Sequence, residues 1–276
     1  MFDLRRMPLS AMIGLILSSA FVLIAIFAPW IAPYANGEVV GDVWAPMSAQ
    51  FPLGTDNLGR DLLSRMIYGT RVTLVIAGLA TALSFTMGSI LGFTAAVIGG
   101  WPDQWLSRGV DLLMSIPTLI FALVVLSVLP SSIPVLVLVL GILDSTRVFR
   151  LSRAVAADIN VMDFVEAAKL RGEKTPWIVF SEILPNALTP LISELGLRFI
   201  FAVLFLSALS FLGLGVQPPD ADWGGMVKEN KEGIVFGIPA ALIPAAAIGV
   251  LTISVNLVAD WILNRTSDLK GGRGNG

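Results

Sequence analysis

The segment Glu166-Ala-Ala-Lys-Leu-Arg-Gly172 is a compact polar stretch in an otherwise apolar chain, and Leu184-Pro185 follows it twelve residues later. Glycine and proline interrupt this region, and long apolar runs flank it on both sides. A membrane protein that places such an element between two spans presents it to water on one side of the bilayer. The segment therefore predicts an all-α polytopic membrane protein with a surface that a second component can hold.

The composition of the chain agrees with a membrane protein. Of its 276 residues, 55% are hydrophobic and only 14% are charged, with a mean hydropathy of +0.83. A soluble domain of this size carries more charge, so the lipid bilayer is the expected surroundings. Cysteine and histidine are both absent, which excludes disulfides, thiol nucleophiles and histidine-based metal or acid–base sites. The net charge of −2 indicates no nucleic-acid partner.

Windows without charged residues locate the membrane spans. A helix needs about 20 residues to cross the hydrocarbon core, and the window at residues 112–143 is long enough for two short spans. Pro130-Ser-Ser-Ile-Pro134 favours a turn near the middle of that window. Dividing it there predicts six transmembrane helices, at residues 9–31, 72–98, 108–129, 134–154, 188–214 and 239–262.

The distribution of basic residues favours six spans over five. With six spans and both termini cytoplasmic, twelve of the eighteen basic residues fall inside and five outside, with Arg198 within a span. A single third span would place the basic loop at 145–185 outside. The expected organisation is one domain over residues 1–276. Its parts are a first span at 9–31, an outer loop at 34–69, core spans within 72–262, an inner loop at 155–187 and a flexible tail at 266–276.

Small residues in the second span indicate where helices touch. Gly88-Ser-Ile-Leu-Gly92 has the GxxxG spacing that lets two helix backbones approach closely. We expect this contact to lie within the bundle of this chain.

Three motifs, in the order found along the chain, resemble the permeases of ABC importers of the dipeptide, oligopeptide and nickel branch. The first is the outer run Leu53-Gly-Thr-Asp-Asn-Leu-Gly-Arg-Asp-Leu-Leu-Ser-Arg65. The second is the Glu-Ala-Ala, Gly and Leu-Pro spacing quoted above, which resembles the loop that couples these permeases to an ATPase. The third is Ser210-Phe-Leu-Gly-Leu-Gly-Val-Gln-Pro-Pro219, followed by Trp223-Gly-Gly-Met226. The chain is most similar to the shorter, second permease of the pair, and it departs from the broad superfamily pattern at Glu182, where isoleucine is usual.

The resemblance implies a type I ABC importer transmembrane domain in the bacterial inner (cytoplasmic) membrane. It implies a heterodimer with a related permease, two ATPase subunits inside and a periplasmic or extracellular substrate-binding protein. ATP and Mg²⁺ would bind to the ATPase subunits, since this chain has no Gly-x4-Gly-Lys-Ser/Thr loop; no cofactor or enzymatic activity is expected here. The substrate stays open among dipeptides, longer peptides, nickel chelates, glutathione and oligosaccharides. The residues that the resemblance assigns to ATPase coupling are Glu166, Ala167, Ala168, Gly172, Leu184 and Pro185.

The coupling loop, residues 155–187, is predicted to form two helices joined at a glycine. Asn160 is the expected N-cap of the first helix, and Gly172 ends or bends it. Thr175-Pro176 is expected to begin the second helix, which Pro185 closes near the membrane. Adjacent alanines keep the first helix thin enough to enter a groove. This arrangement suits a lever that a partner grips.

Two charges within the fifth span distinguish the candidate functions. Glu194 and Arg198 are spaced i,i+4 and are expected to form an intramembrane pair. The alternative function, a proton-coupled secondary transporter, requires an unpaired acid near the middle of the membrane. Asp144 and Asp260 are expected near the inner ends of their spans, where water reaches them. The sequence therefore favours ATP-driven transport.

The outer loop combines turn residues with a helix cap. Gly54 and Gly59 can adopt a positive φ, and Asp61 is expected to cap a short amphipathic helix at the membrane surface before the second span. A second interpretation is that the loop receives a partner outside, with Asp56, Arg60 and Asp61 as possible contacts.

Overall fold

The computed structural model describes residues 7–271, with side chains as far as residue 264. Within these residues the protein is all-helical, which confirms the predicted fold class, and the outer loop adds two isolated β-bridges. The α-helices are α1 (Leu9–Ile31), α2 (Leu62–Ile98), α3 (Gly100–Ser115), α4 (Thr118–Val128), α5 (Ile133–Asn160), α6 (Asp163–Leu170), α7 (Thr175–Trp177), α8 (Leu184–Phe211), α9 (Trp223–Asn230) and α10 (Leu242–Gly271). A π-helical turn at Ile178–Ile183 joins α7 to α8, and 3₁₀ turns at Lys231–Phe236 and Pro239–Ala241 precede α10.

Four helical segments in the described part of the chain are long and apolar enough to cross a membrane. They are α1, α2, the continuous run Thr175–Phe211 and the run Pro239–Asn264. A fifth candidate is the pair α3 and α4, whose axes differ by 85°. The remaining predicted span, α5, is long enough, but it carries Asp144, Arg147 and Arg150 in the stretch that would cross the bilayer. Six crossings therefore stay a prediction.

Two predicted boundaries and the tail are corrected by the structure. The second span begins at Leu62 rather than at residue 72, because the Asp61 side chain accepts a hydrogen bond from the Ser64 amide and the helix then continues unbroken. No separate surface helix precedes it. The span predicted at 108–129 is two helices, because proline at position 117 cannot continue the hydrogen-bond ladder. α10 runs to Gly271, so the predicted flexible tail is helical at its start; residues 272–276 lie outside the described range.

Helices α2 and α5 pack backbone to backbone, as the GxxxG spacing predicts. A Cβ atom on Gly88 would lie 2.7 Å from the carbonyl oxygen of Ser145. One turn later, a Cβ atom on Gly92 would lie 2.7 Å from the carbonyl oxygen of Phe149. Both distances are too short for a real side chain, so only glycine permits this approach. The prediction of close packing within the subunit is confirmed.

Three clusters of buried apolar residues fill the bundle at different depths. The outer cluster surrounds Trp223 of α9, whose ring meets Phe21 of α1 edge-on at 5.4 Å between centroids. The middle cluster joins α2, α4, α5 and α8. The inner cluster surrounds Ile178 and Ile183 of the π-helical turn and receives Val165 of α6. The inner loop is thus fixed to the same packed core as the membrane helices.

We predict that Gly88→Ala lowers the free energy of unfolding in detergent by about 1–3 kcal/mol, because its methyl group must push α2 away from α5. The measurement is the thermal unfolding of the purified chain. The matched control is Gly78→Ala on the same helix, where the added Cβ atom has no neighbour within 4 Å. The control should be neutral or slightly stabilising, since alanine favours helix over glycine. Equal effects at the two positions would contradict the close contact.

Candidate functional site

The inner loop turns sharply at Gly172, as the sequence predicts. The Gly172 amide donates to the carbonyl oxygen of Lys169 at 3.0 Å, and the Glu173 amide donates to that of Ala168 at 3.2 Å. These two bonds form a Schellman motif, which requires a left-handed residue after the helix. Gly172 supplies it with φ = +81°. The turn therefore fixes the direction in which the chain leaves α6.

The ends of the loop helices differ from the prediction. Asn160 is not the N-cap of α6, because α5 continues to that residue and the Asn160 amide group donates to the carbonyl oxygen of Ala96 at 3.1 Å. Met162 lies at the N-cap instead, without a side-chain bond. Pro185 does not close a second helix. The chain runs without a break from α7 through the π-helical turn into α8. The wider π-helical turn lies just before Pro185, which has no amide proton to donate to a preceding carbonyl group.

The coupling residues divide between two faces of α6. Val165 and Ala168 are fully buried against the inner cluster. The sequence predicts that Ala168 contacts a partner, and its burial shows that this prediction is wrong. Glu166 and Ala167 are exposed, and Leu170 is 83% exposed. At the end of the loop, Leu184 is half-buried and Pro185 is exposed. The outward part of α6 is therefore small and polar at Glu166 and Ala167, and it is preceded and followed along the helix by two exposed apolar side chains, Phe164 and Leu170.

The loop is braced by a cationic side chain at its turn. The Arg171 guanidinium lies 3.9 Å from the carboxylates of both Glu173 and Glu182, and 5.7 Å from the centre of the Trp177 ring. These contacts join the two sides of the turn. Glu182, where the chain departs from the superfamily pattern, thus faces a positive charge rather than an apolar surface.

The predicted pairing of Glu194 with Arg198 is confirmed and is part of a larger network. An Arg198 nitrogen lies 2.7 Å from the Glu194 carboxylate, and another lies 3.2 Å from the Asp144 carboxylate on α5. The Ser84 hydroxyl of α2 donates to Asp144 at 3.3 Å, and Arg147 lies 3.7 Å away from it. The charges of α5 and α8 and the Ser84 hydroxyl of α2 thus form one polar network that joins three helices.

The place of Asp144 was not predicted correctly. Its side chain is 6% exposed inside the bundle, and not in water near the inner end of its span. Its partner Arg198 is 54 residues away, so no local spacing indicates the contact. The available signal was a carboxylate within an apolar helix, which needs a counter-charge. Because Glu194 and Asp144 are both paired, neither is the unpaired acid that a proton-coupled transporter requires.

A second ion cluster holds the outer loop. The Asp56 carboxylate lies 2.6 Å from nitrogen atoms of both Arg60 and Arg65, and Glu229 of α9 lies 2.7 Å from Arg60 and 2.5 Å from Arg65. Asp56, Arg60 and Asp61 are all buried, and Asp61 caps α2. Because they are buried, these three side chains do not contact an outside partner directly, and that hypothesis is wrong. They fix the shape of the outer loop, with Gly54 and Gly59 at positive φ as predicted.

Asp222 caps the start of α9, the helix that also carries Glu229. Burial raises the pKa of Asp222 to about 6, while hydrogen bonds from neighbouring groups, including the Gly224 and Gly225 amides, oppose that rise. A raised pKa means that the folded chain holds this proton more tightly than the unfolded chain. The contribution of Asp222 to stability is therefore present below pH 4 and is lost as the pH rises to 6 and above. Among the described residues, no group of three or more acidic side chains could hold a metal ion.

The described residues form an all-helical apolar bundle whose inner loop is anchored to the core, which defines a polytopic membrane protein. The comparison with protein families assigns it more closely. Residues 84–268 match the family described as binding-protein-dependent transport system inner membrane component, and residues 6–59 match the N-terminal transmembrane domain of oligopeptide transport permease C. The chain belongs to the first of these families and is a membrane permease subunit of an ABC importer, in which separate subunits hydrolyse ATP.

Individual relatives extend over nearly the whole chain. The dipeptide transport system permease protein DppC of Alkalihalophilus pseudofirmus is 33% identical, with 91% of this chain and 83% of the relative covered. The di/tripeptide transport system permease protein DppC of Pseudomonas aeruginosa is 35% identical over 90% and 84%. The glutathione transport system permease protein GsiD of Pectobacterium atrosepticum is 30% identical over 87% and 81%.

We predict that Arg198→Ala lowers the free energy of unfolding by about 1–3 kcal/mol, because Glu194 and Asp144 then lose a charged hydrogen-bond partner inside the bundle. The double change Arg198→Ala/Glu194→Ala should recover part of the loss, since one unpaired carboxylate is removed while Asp144 keeps Arg147 and Ser84. The measurement is thermal unfolding in detergent.

The matched control for this prediction is Arg150→Ala. The Arg150 side chain is 60% exposed and lies 3.8 Å from the equally exposed Asp111. Such exposed pairs contribute little, so this change should leave the unfolding temperature almost unchanged. A double variant as unstable as the sum of its single changes would show that Glu194 and Arg198 do not interact.

Proposed function

We propose that this chain is the second permease of a peptide importer and forms, with a related permease, the pathway for short peptides. Two ATPase subunits bind on the inside, and a substrate-binding protein delivers the peptide on the outside. The observation that carries the proposal is the inner loop, in which one face of α6 is locked into the core while the other is free. The relatives that transport dipeptides and tripeptides support the substrate class.

The anchoring of α6 explains how movement of an ATPase reaches the membrane. Val165 and Ala168 are buried on the inner side of α6, and Val165 belongs to the same cluster as Ile178 of the π-helical turn. That turn continues directly into α8. A displacement of α6 is therefore passed to a spanning helix through packed side chains rather than through a slack linker. ATP-driven closure of the ATPase pair would then switch the pathway between inward and outward access.

The docking face for the ATPase is formed by the exposed residues Glu166, Ala167 and Leu170. Ala167, rather than Ala168, is the small residue that lets another surface approach. Leu170 offers an apolar side chain at the end of the helix, where Lys169 and Arg171 add positive charge. The N- and C-termini are on the same, cytoplasmic side as this loop.

We predict that Ala167→Trp leaves the permease pair assembled but abolishes uptake and the stimulation of ATP hydrolysis by the loaded binding protein. The indole would prevent the ATPase cleft from closing on α6. The measurement is ATP hydrolysis and peptide uptake by the reconstituted complex. A second pair of variants tests the turn: Gly172→Val should uncouple, because valine disfavours φ = +81°, whereas Gly172→Asn should retain coupling.

The position of Gly172 makes this comparison specific. A Cβ atom there would have no neighbour within 4 Å, so the two variants differ in backbone preference and not in a clash. Normal coupling in both Ala167→Trp and Gly172→Val would show that α6 does not enter a cleft.

We predict that cysteines at Leu58 and Lys174 react with a membrane-impermeant thiol reagent from opposite sides of the membrane. Leu58 is 53% exposed in the outer loop, and Lys174 is exposed in the inner loop. Because the chain has no cysteine of its own, each variant carries a single thiol. Leu58→Cys should be labelled in intact cells and Lys174→Cys only after the membrane is opened. Labelling of both in intact cells would exclude the proposed orientation.

A further inference from the structure

An exposed arginine lies in the outer half of α2 and has no ion pair among the described residues. Arg71 is nine residues into the helix, about 13 Å from its start. It also borders a cavity with Val22 and Ile26 of α1, which places it below the outer end of that spanning helix. Arginine at this depth marks a pathway for a polar solute far more often than it faces lipid.

Two neighbouring arginines on the outer side, unlike Arg71, are paired with carboxylates of this chain. Arg60 and Arg65 are buried and each contacts two carboxylates. The charges of these two buried arginines are therefore neutralised by carboxylates of the same chain. Arg71 receives no such carboxylate, so its charge remains available to a group that is not part of this chain.

Arg71 lines a cavity of about 380 Å³ that carries both signs of charge. Tyr68 and Asn36 border it, and the exposed carboxylate of Asp220 lies on its wall. One oxygen of that carboxylate accepts a hydrogen bond from the Asn36 amide at 3.2 Å, which holds its side chain in place. Apolar residues of α2 and the first residue of α5 form the rest of the wall. A cavity of this size suits a small ligand with two charged ends and an apolar middle.

We propose that this cavity is a peptide-binding subsite on the outer side of the pathway, with Arg71 binding the C-terminal carboxylate of the peptide and Asp220 facing its amino group. This inference rests on the proposed function and adds the chemistry by which the permease itself recognises its substrate. A guanidinium forms two parallel hydrogen bonds with a carboxylate, which a neutral amide cannot accept in the same way. The site therefore discriminates a free C-terminus from an amidated one.

The experiment compares uptake of one tripeptide as the free acid and as the C-terminal amide by the reconstituted complex, with the binding protein saturated by each. Arg71→Gln should lower the uptake rate of the acid about tenfold and leave that of the amide unchanged. Arg71→Lys should fall between wild type and Arg71→Gln for the acid, because lysine keeps the charge but not the two parallel hydrogen bonds. The binding protein is the same in every assay. A change in the ratio of acid uptake to amide uptake between wild type and Arg71→Gln is therefore caused by the permease. The matched control is Lys228→Gln, which removes an exposed outer cation that does not line the cavity.

A second measurement does not depend on the amide. A single thiol at Arg71→Cys should react with a positively charged methanethiosulfonate reagent from outside, and this modification should restore acid uptake. The negatively charged reagent should not restore it. The loaded binding protein should protect the thiol from either reagent in the presence of the tripeptide acid.

The outcomes separate this inference from the proposed function. If the wild-type complex takes up neither form of the peptide, the proposed function fails. If it does, but Arg71→Gln lowers acid and amide uptake by the same factor or by none, Arg71 binds a lipid phosphate or the partner permease and the subsite is excluded. Loss of the permease pair on purification of Arg71→Gln would likewise overturn the inference in favour of a subunit contact.

Discussion

The contact between the backbones of α2 and α5 at Gly88 and Gly92 determines where the polar groups of the bundle can meet. Because no side chain separates the two helices there, Ser84 on α2 reaches Asp144 on α5, and Asp144 in turn meets Arg198 on α8. Any spacing between the helices would leave charges inside the bundle with fewer partners. The absence of a side chain at two positions is thus the condition for an ion network that connects three helices.

Features set by neighbouring residues could be predicted from the sequence. Asp61 caps α2 through an amide three residues away, Glu194 meets Arg198 one turn later, and Gly172 takes the left-handed turn that ends α6. Each depends only on helix geometry and on the preferences of one residue. Four of the six spans could be predicted for the same reason, since a run of apolar residues shows directly which segments prefer lipid to water.

Features set by packing between distant segments could not be predicted. Asp56 and Arg60 suggested an exposed contact because turns usually lie at the surface, yet Glu229, 169 residues beyond Arg60, completes a buried cluster around them. Ala168 was expected to meet the partner because it is small, yet it lies on the same face of α6 as Val165, which packs into the core. Continuity across Pro185 could not be predicted, because it depends on a π-helical turn that accommodates the missing amide donor. In each case the deciding partner is a residue that no local pattern specifies.

The unbroken length of α2 has a mechanical consequence. Its 37 residues extend about 55 Å, well beyond the roughly 30 Å of the hydrocarbon core. The same helix carries Arg65 in the outer ion cluster and Ser84 in the network around Asp144. At its far end, the carbonyl group of Ala96 accepts a hydrogen bond from Asn160 beside the inner loop. No hinge interrupts it. A rotation imposed at the outer loop therefore turns both ends of α2 through the same angle. In this way one continuous helix mechanically couples the outer loop to the inner loop.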